Sequence, residues 1–153
     1  MKIIFLDIDG VLNSSQWYDS LDGPAITMDS DIDDNALSLL INYIKKNDLS
    51  VVITSSWRES TLKDTVRCFN KCKLRRLTKY IIGVTPRTYE RIRGKEIDIW
   101  MSRCGGDIDE FVIIDDDDFD IHQKKHLVHT NWETGLTEND LKECDKKLHI
   151  NKH

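Results

Sequence analysis

Long apolar runs are absent from this chain of 153 residues, and its four cysteines and five histidines form no familiar metal motif. The longest apolar run before a charge, residues 3–6, is far too short for a signal peptide or a membrane-spanning helix. We therefore expect a soluble, cytoplasmic protein with no membrane partner. Cys68 and Cys72 share one face of a predicted helix without the spacing of a zinc knuckle, so reduced thiols are expected. His122 and His126 also share a helical face, but no Cys or Glu is spaced to join them.

The size of the chain is that of one domain, and its charge is unevenly distributed along the sequence. A hydrophobic content of 39% over 153 residues predicts a single domain over residues 1–153. The net charge is −5, yet residues 63–95 hold eleven basic residues against two acidic ones, about +9, which leaves about −14 elsewhere. This segment is interpreted either as a solvated surface or as a binding surface for a phosphate-rich ligand.

Short apolar segments alternate with amphipathic ones along the chain. The strands are predicted at residues 2–6, 49–53, 80–84, 111–114 and 126–130. Helices are predicted from about 31 to 47, with Asp29 or Ser30 as the cap, at 59–72, at 94–104, and after Thr137 in the manner of a capping box. This alternation predicts an α/β fold: a three-layer, Rossmann-like parallel sheet with helices on both faces.

Polar side chains follow three of these strands at the point where each strand ends. They are Asp7 and Asp9 after the first strand, Thr54, Ser55, Ser56 and Arg58 after the second, and Asp115, Asp116, Asp117 and Asp118 after the fourth. In an open parallel sheet, ligands bind beyond the carboxyl ends of the strands. Three oxygen-rich strand ends at one sheet edge therefore predict a site for a hard metal ion.

The order of these residues resembles a known family. Asp7-x-Asp9-Gly10-Val11-Leu12, a hydroxyl residue after the second strand, a lysine at the start of a helix, and Val112-Ile113-Ile114-Asp115-Asp116 are similar to the four motifs of haloacid dehalogenase-like (HAD) phosphohydrolases. Ser55-Ser56-Trp57-Arg58, Gly83-Val84-Thr85-Pro86, Glu96-Ile97-x-x-Trp100 and Gly135-Leu136-Thr137 look like the HAD domain of Swiss Army Knife RNA repair proteins. More distantly, Ser55-x-x-Arg58-Glu59-Ser60 and Lys95-Glu96-Ile97-x-x-Trp100 resemble the 3′-phosphatase domain of phage polynucleotide kinase.

The resemblance implies a different role for each carboxylate. Asp7 would be the nucleophile that forms an aspartyl-phosphate, and Asp9 would be the general acid and base. Mg²⁺ would be held by Asp7, by the backbone carbonyl of Asp9, and by Asp115 or Asp116. The metal set is thus predicted as Asp7, Asp9, Asp115 and Asp116.

The resemblance also implies residues that hold the phosphate. Ser55 would supply the hydroxyl, with Thr54 as the alternative because a one-residue shift reverses the side-chain face. Lys95 would supply the cation, in competition with Arg91 and Arg93. Arg58 is either a bidentate phosphate clamp or part of a structural salt bridge, and Arg91 is a further substrate-binding candidate.

The length of the segment after the first motif bears on the size of the substrate. Residues 13–30 are long enough for a flap but not for a cap domain, so the resemblance implies a HAD-like fold with a minimal cap or none and an open site. Such a site suits large substrates, and Trp17, Tyr18, Trp57 and Tyr89 are candidates for stacking on bases.

We therefore predict a Mg²⁺-dependent phosphomonoesterase that acts through an aspartyl-phosphate on a phosphorylated substrate, namely a nucleic acid end with a 3′-phosphate or a nucleotide. One alternative is a small-molecule phosphatase similar to 5′-deoxynucleotidases. A non-enzymatic alternative is a nucleic-acid or phosphate-binding module with the same fold.

Overall fold

The core of the protein is built on strand β1, Lys2–Leu6, whose side chains alternate between two apolar layers. Ile4 and Leu6 lie in one layer, and Ile3 and Phe5 lie in the other. The structure is a computed structural model that describes residues 1–24, 27–118 and 121–150. A strand that is apolar on both sides belongs in the middle of a sheet, and β1 is indeed central.

The sheet has five strands in the order β3-β2-β1-β4-β5, and every neighbouring pair is parallel. The other strands are β2, Ser50–Ile53; β3, Ile81–Val84; β4, Glu110–Asp115; and β5, Leu127–His129. All five predicted strands are present, and each end differs from the prediction by at most one residue. The helices are α1, Ser15–Asp19; α2, Asp34–Asn47; α3, Leu62–Phe69; α4, Arg93–Cys104; α5, Ile121–Lys124; and α6, Glu138–Lys147.

Helices cover both faces of the sheet. Leu37 and Leu40 of α2 and Leu141 of α6 pack in the layer of Ile4 and Leu6. On the opposite face, Ile97 and Trp100 of α4 pack on Phe5, with the Phe5 and Trp100 ring centroids 5.5 Å apart. The predicted three-layer, Rossmann-like α/β fold is confirmed.

The helix caps differ in part from the predictions. Asp33, rather than Asp29 or Ser30, caps α2, since its carboxylate accepts hydrogen bonds from the backbone of Asn35 and Ala36. That cap prediction is therefore wrong, and the side-chain hydroxyl of Ser30 instead bonds within a turn to the carbonyl of Thr27. The predicted capping box of α6 is present between Thr137 and Asp140.

The segment between β1 and α2 contains helix α1, and it includes residues 25 and 26, which lie outside the described ranges. The Trp17 indole donates a hydrogen bond to the Ser30 carbonyl at 2.9 Å, and the Tyr18 hydroxyl bonds Asp31 at 3.2 Å. These contacts tie α1 to the chain that leads into α2. The predicted flap over residues 13–30 stays a prediction. Among the described residues, no helix is long and apolar enough to cross a membrane.

The sheet ladder continues one residue past the ends of β1 and β2. Asp7 donates its backbone N–H to Ile114, and Thr54 donates its backbone N–H to Leu6. Because Leu6 pairs with both Ile53 and Ile114, the register sets Thr54, Asp7 and Asp115 side by side. These three positions lie on the sheet face covered by α4, the face to which Phe5, Val52 and Ile113 belong.

Candidate functional site

Three carboxylates converge at this edge of the sheet. Asp7, Asp115 and Asp116 each offer an oxygen, and the three oxygens lie within 4.8 Å of one another. Asp7 is 3% exposed and Asp115 is fully buried, whereas Asp116 is partly buried. The structure thus brings together three of the four predicted metal ligands. The Asp9 side chain is not in this group, and the predicted role of its backbone carbonyl stays a prediction.

Gly10 allows the loop after β4 to approach the first motif this closely. Its φ is +77°, a left-handed conformation that side chains rarely adopt. A Cβ placed on Gly10 would also lie 2.2 Å from a carboxylate oxygen of Asp116. The glycine of Asp-x-Asp-Gly is therefore required both by the turn and by the contact with Asp116.

A guanidinium lies against the same carboxylates. Arg93, the first residue of α4, forms an ion pair with Asp7 at 3.1 Å and a shorter one with Asp115. Burial alone would lower the pKa of Arg93, but the carboxylates of Asp115 and Asp7 raise it above its usual value. The side chain stays charged and partly neutralises the acidic cluster.

The carboxylates nevertheless resist full ionisation. Burial is the largest cause that raises the pKa of Asp115 to about 7, with the charge of Asp7 second. Burial and Asp7 likewise raise the pKa of Asp116 to about 6. Burial also raises the pKa of Asp7, although Arg93 opposes that shift. A buried cluster with more negative charge than its neighbours neutralise is favourable for a cation.

Asp9 is held by two side-chain donors. The Trp57 indole N–H lies 3.1 Å from both carboxylate oxygens of Asp9, and the Asn13 amide donates to one of them at 2.9 Å. Asn13 Oδ1 in turn accepts the backbone N–H of Gly10 at 2.9 Å. The contact between Trp57 and Asp9 joins positions 48 residues apart in the chain, and sequence reasoning did not predict it.

The two candidate hydroxyls after β2 differ in their surroundings. Thr54 is fully buried beside Asp7 in the register, and within the described ranges its hydroxyl has no hydrogen-bond partner. The Ser55 hydroxyl accepts the backbone N–H of Trp57 at 3.2 Å. A buried hydroxyl without a partner is costly in the free protein. The O–H of either side chain can still donate, but Ser55 already accepts one hydrogen bond and Thr54 makes none with the described residues.

The three candidate cations near the start of α4 have different contacts. Lys95 is half exposed, and its ammonium lies 2.6 Å from Glu90, so the structure does not bring it to the carboxylates. Arg91 is exposed, with a φ of +53°, and lines an open pocket beside the site. Arg93 is the cation that contacts Asp7. Whether Arg93 or Lys95 lies at the carboxylates depends on the residue at which α4 begins. The motif spacing alone does not determine that residue.

Arg58 uses every N–H of its guanidinium inside the protein. Its five donors reach the carbonyls of Thr85, Thr54, Ser55 and Pro86 and the carboxylate of Glu96. The ion pair with Glu96 is 2.8 Å long, and both side chains are about 95% buried. Of the two interpretations of Arg58, the structural salt bridge is the one present, and no donor is left for a phosphate.

Removal of this buried pair should be costly. We expect Arg58→Ala to lower the free energy of unfolding by about 3–5 kcal/mol, because Glu96 would stay buried without its partner. Arg67→Ala is the matched control: Arg67 pairs with Asp64 at 3.3 Å on the surface, so its loss should change stability by less than about 1 kcal/mol. Urea unfolding followed by circular dichroism measures both. Equal effects of the two variants would contradict the structural role of Arg58.

Several basic residues of the segment 63–95 are paired with carboxylates. Lys73 pairs with Asp34, Lys95 pairs with Glu90, and Arg93 is part of the acidic site. Arg58, Arg87, Arg91 and Arg93 line the open pocket of about 220 Å³ beside that site, together with Ser56 and Glu96. Three of the eleven basic residues of the segment, Arg87, Arg91 and Arg93, therefore line the pocket beside Asp7.

Comparison with known proteins agrees with this arrangement. A search of curated proteins finds no match to the chain. The family model described as "HAD domain in Swiss Army Knife RNA repair proteins" matches residues 3–141, which include the five strands apart from Lys2 and all the site residues described above. The chain therefore belongs to this family and, with it, to the HAD-like phosphatases and related hydrolases.

Proposed function

We propose that the protein is a Mg²⁺-dependent phosphomonoesterase that acts through an aspartyl-phosphate on nucleic acid ends carrying a 3′-phosphate. The observation that supports this most is the position of Asp7, which lies among Asp115, Asp116 and Arg93 with Asp9 two residues further on. Family membership supports phosphatase chemistry in general, and the family's RNA repair proteins suggest the kind of substrate.

The acidic cluster fits Mg²⁺ as a cofactor. Its donors are all carboxylate oxygens, the ligands that this ion prefers, and the three carboxylates outnumber the single guanidinium of Arg93 that pairs with them. Asp7, Asp115 and Asp116 would hold the ion. When bound, Mg²⁺ would supply positive charge for the oxygens of the phosphoryl group.

The chain's own carboxylates can perform two displacements. First, an oxygen of Asp7 attacks phosphorus, the bond from phosphorus to the ester oxygen breaks, and Asp9 gives its proton to that leaving oxygen. Next, Asp9 takes a proton from a water molecule, the water oxygen attacks phosphorus, and the bond to Asp7 breaks. The products are an alcohol and inorganic phosphate, with Asp7 again a carboxylate and Asp9 again protonated.

Two further side chains are suited to hold the phosphoryl oxygens. The buried Thr54 hydroxyl beside Asp7 has a free hydrogen bond to give, and the Arg93 guanidinium already lies at the carboxylates. Fixed donors of this kind stabilise charge that develops in the transition state. We propose Thr54 and Arg93 for these roles, with Ser55 and Lys95 as the alternatives.

Trp57 positions Asp9 for proton transfer. We expect Trp57→Phe to lower turnover by about tenfold for esters with a poor leaving group, because Asp9 loses one of its two donors. Turnover of p-nitrophenyl phosphate should fall less, since its leaving group needs little protonation. A series of aryl phosphates measures this dependence. An equal loss across the series would contradict a positioning role.

Metal binding should depend on pH in a defined direction. Protons compete with the cation below the raised pKa values of about 7 and about 6 at Asp115 and Asp116. The Mg²⁺ affinity should therefore rise between about pH 5.5 and about pH 7.5, by on the order of tenfold per pH unit for each proton displaced. The thermal unfolding midpoint, titrated with Mg²⁺, measures this affinity without any substrate.

Asp115→Asn should abolish the Mg²⁺-induced rise of this midpoint. Asp118→Asn is the matched control, because Asp118 lies in the same acidic run but outside the cluster. A normal Mg²⁺ response in Asp115→Asn would contradict the proposed metal site.

A substrate panel tests the proposed function and its alternatives. With Mg²⁺, we expect oligonucleotides with a 3′-phosphate to be hydrolysed more efficiently than those with a 5′-phosphate and than free nucleotides. Preference for free deoxynucleoside 5′-phosphates would instead favour the 5′-deoxynucleotidase alternative. Oligonucleotide binding with no phosphate release from any substrate would favour the non-enzymatic binding module.

A further inference from the structure

The loop between β3 and α4 combines features that no catalytic role explains. We call residues 85–92 the arginine loop, since it carries Arg87 and Arg91 on either side of Tyr89. Both arginines are exposed, and neither forms an ion pair with any residue in the described ranges. Tyr89 is 102% exposed, the most exposed large apolar side chain among the described residues.

Three backbone groups of the arginine loop bond to the buried pair of Arg58 and Glu96. Arg58 donates to the carbonyls of Thr85 at 2.8 Å and Pro86 at 3.3 Å. Glu96 accepts the backbone N–H of Thr88 at 2.8 Å. The buried ion pair between Arg58 and Glu96 therefore anchors the loop at three backbone positions. A loop fixed before binding loses little conformational entropy when a ligand docks.

The arginine loop lies next to the carboxylate cluster of Asp7, Asp115 and Asp116. Arg87 and Arg91 line the pocket of about 220 Å³ together with Arg93, whose guanidinium also contacts Asp7. This volume is below that of a typical pocket for a drug-sized ligand, so it suits a phosphate group better than a whole nucleotide. Of the arginines in the pocket wall, Arg58 pairs with Glu96 and Arg93 pairs with Asp7 and Asp115. The donors left for an anion are those of Arg91 and the part of the Arg87 guanidinium that does not bond the Ser56 and Arg58 carbonyls.

Resting on the proposed function, we infer that the arginine loop binds the nucleotide next to the phosphate that is removed. Arg87 and Arg91 would hold the neighbouring phosphodiester, and Tyr89 would stack on a base. Proteins that bind single-stranded nucleic acid combine cationic side chains that contact the phosphates with aromatic side chains that stack on the bases. Of the four stacking candidates, Trp17 and Trp57 use their indole N–H groups within the protein and Tyr18 bonds Asp31, whereas Tyr89 is fully exposed. The substrate is therefore a single-stranded end rather than a mononucleotide.

Binding to catalytically silenced protein tests this inference independently of turnover. The probe is a fluorescein-labelled single-stranded RNA octamer with a 3′-phosphate, its anisotropy followed on the Asp7→Asn protein. We expect Tyr89→Ala to weaken binding by about fivefold or more. The double variant Arg87→Ala/Arg91→Ala should reduce the slope of log Kd against log salt by about 0.7 for each phosphate that the arginines no longer neutralise. Arg103→Ala, an exposed arginine near the other end of α4, should change neither value.

The outcomes separate this inference from the proposed function. Equal affinity and equal salt dependence in the loop variants and in Arg103→Ala would overturn the inference, even if the enzyme hydrolyses simple phosphomonoesters. The expected weakening of binding in a protein that hydrolyses no phosphomonoester would support the arginine loop and overturn the proposed phosphatase. For an active enzyme, the ratio of kcat/KM for the octamer to that for p-nitrophenyl phosphate should also fall in the loop variants and not in Arg103→Ala.

Discussion

Asp7→Asn should reduce phosphomonoester hydrolysis by on the order of 10⁴-fold or more, because an amide cannot attack phosphorus as a carboxylate does. The substitution keeps the size of the side chain, so the local packing beside Arg93 and Asp115 should persist. Burial raises the pKa of Asp7, and a neutral amide avoids that cost. The assay is p-nitrophenol release with excess Mg²⁺, measured on wild type and variant from parallel preparations.

Folding of the variant is the control for this result. The thermal unfolding midpoint of Asp7→Asn without Mg²⁺ should be close to that of the wild type. Loss of activity with retained folding would assign the loss to chemistry. An active Asp7→Asn would exclude Asp7 as the nucleophile.

The second large effect concerns the cation beside Asp7. Arg93→Ala should lower kcat by about 10²–10³-fold, the usual cost of removing one fixed donor from a site of this kind. Lys95→Ala should change kcat by less than about threefold, because its ammonium pairs with Glu90 on the surface. Steady-state kinetics with p-nitrophenyl phosphate compare the two variants.

Comparison of the Arg93 and Lys95 variants shows which side chain holds the phosphate. The family motif suggests Lys95, and the contacts with Asp7 and Asp115 favour Arg93. A large loss in Lys95→Ala together with near-normal Arg93→Ala would restore Lys95 as the phosphate-holding cation. Such a result would mean that the ion pair of Lys95 with Glu90 opens when substrate binds.

Much of the fold could be predicted because the local sequence pattern of each strand agrees with the observed sheet. The strands are short, rich in β-branched residues and followed by polar side chains, so their parallel arrangement placed Asp7 and Asp115 at one edge. The cap of α2 could not be predicted as well. Asp29, Ser30 and Asp33 all have suitable side chains, and only the point where the helix axis begins separates them.

The details of the site depended on contacts between distant parts of the chain. Which of Arg91, Arg93 and Lys95 reaches Asp7 depends on the left-handed residue at Arg91, with its φ of +53°, and on the first turn of α4. The contact of Trp57 with Asp9 likewise requires two loops from different strands to meet. The placement of Thr54 beside Asp7 could have been predicted, because strand alternation puts it on the face of Val52.

The most direct test of the proposed chemistry is to trap the phosphorylated enzyme. Substrate and Mg²⁺ are mixed with the protein, the reaction is stopped with acid within one turnover, and the peptides are analysed by mass spectrometry. We expect a phosphate adduct on the peptide containing Asp7, and none in Asp7→Asn. Substrate turnover with no adduct on that peptide, or with the adduct on another residue, would contradict the aspartyl-phosphate mechanism at Asp7.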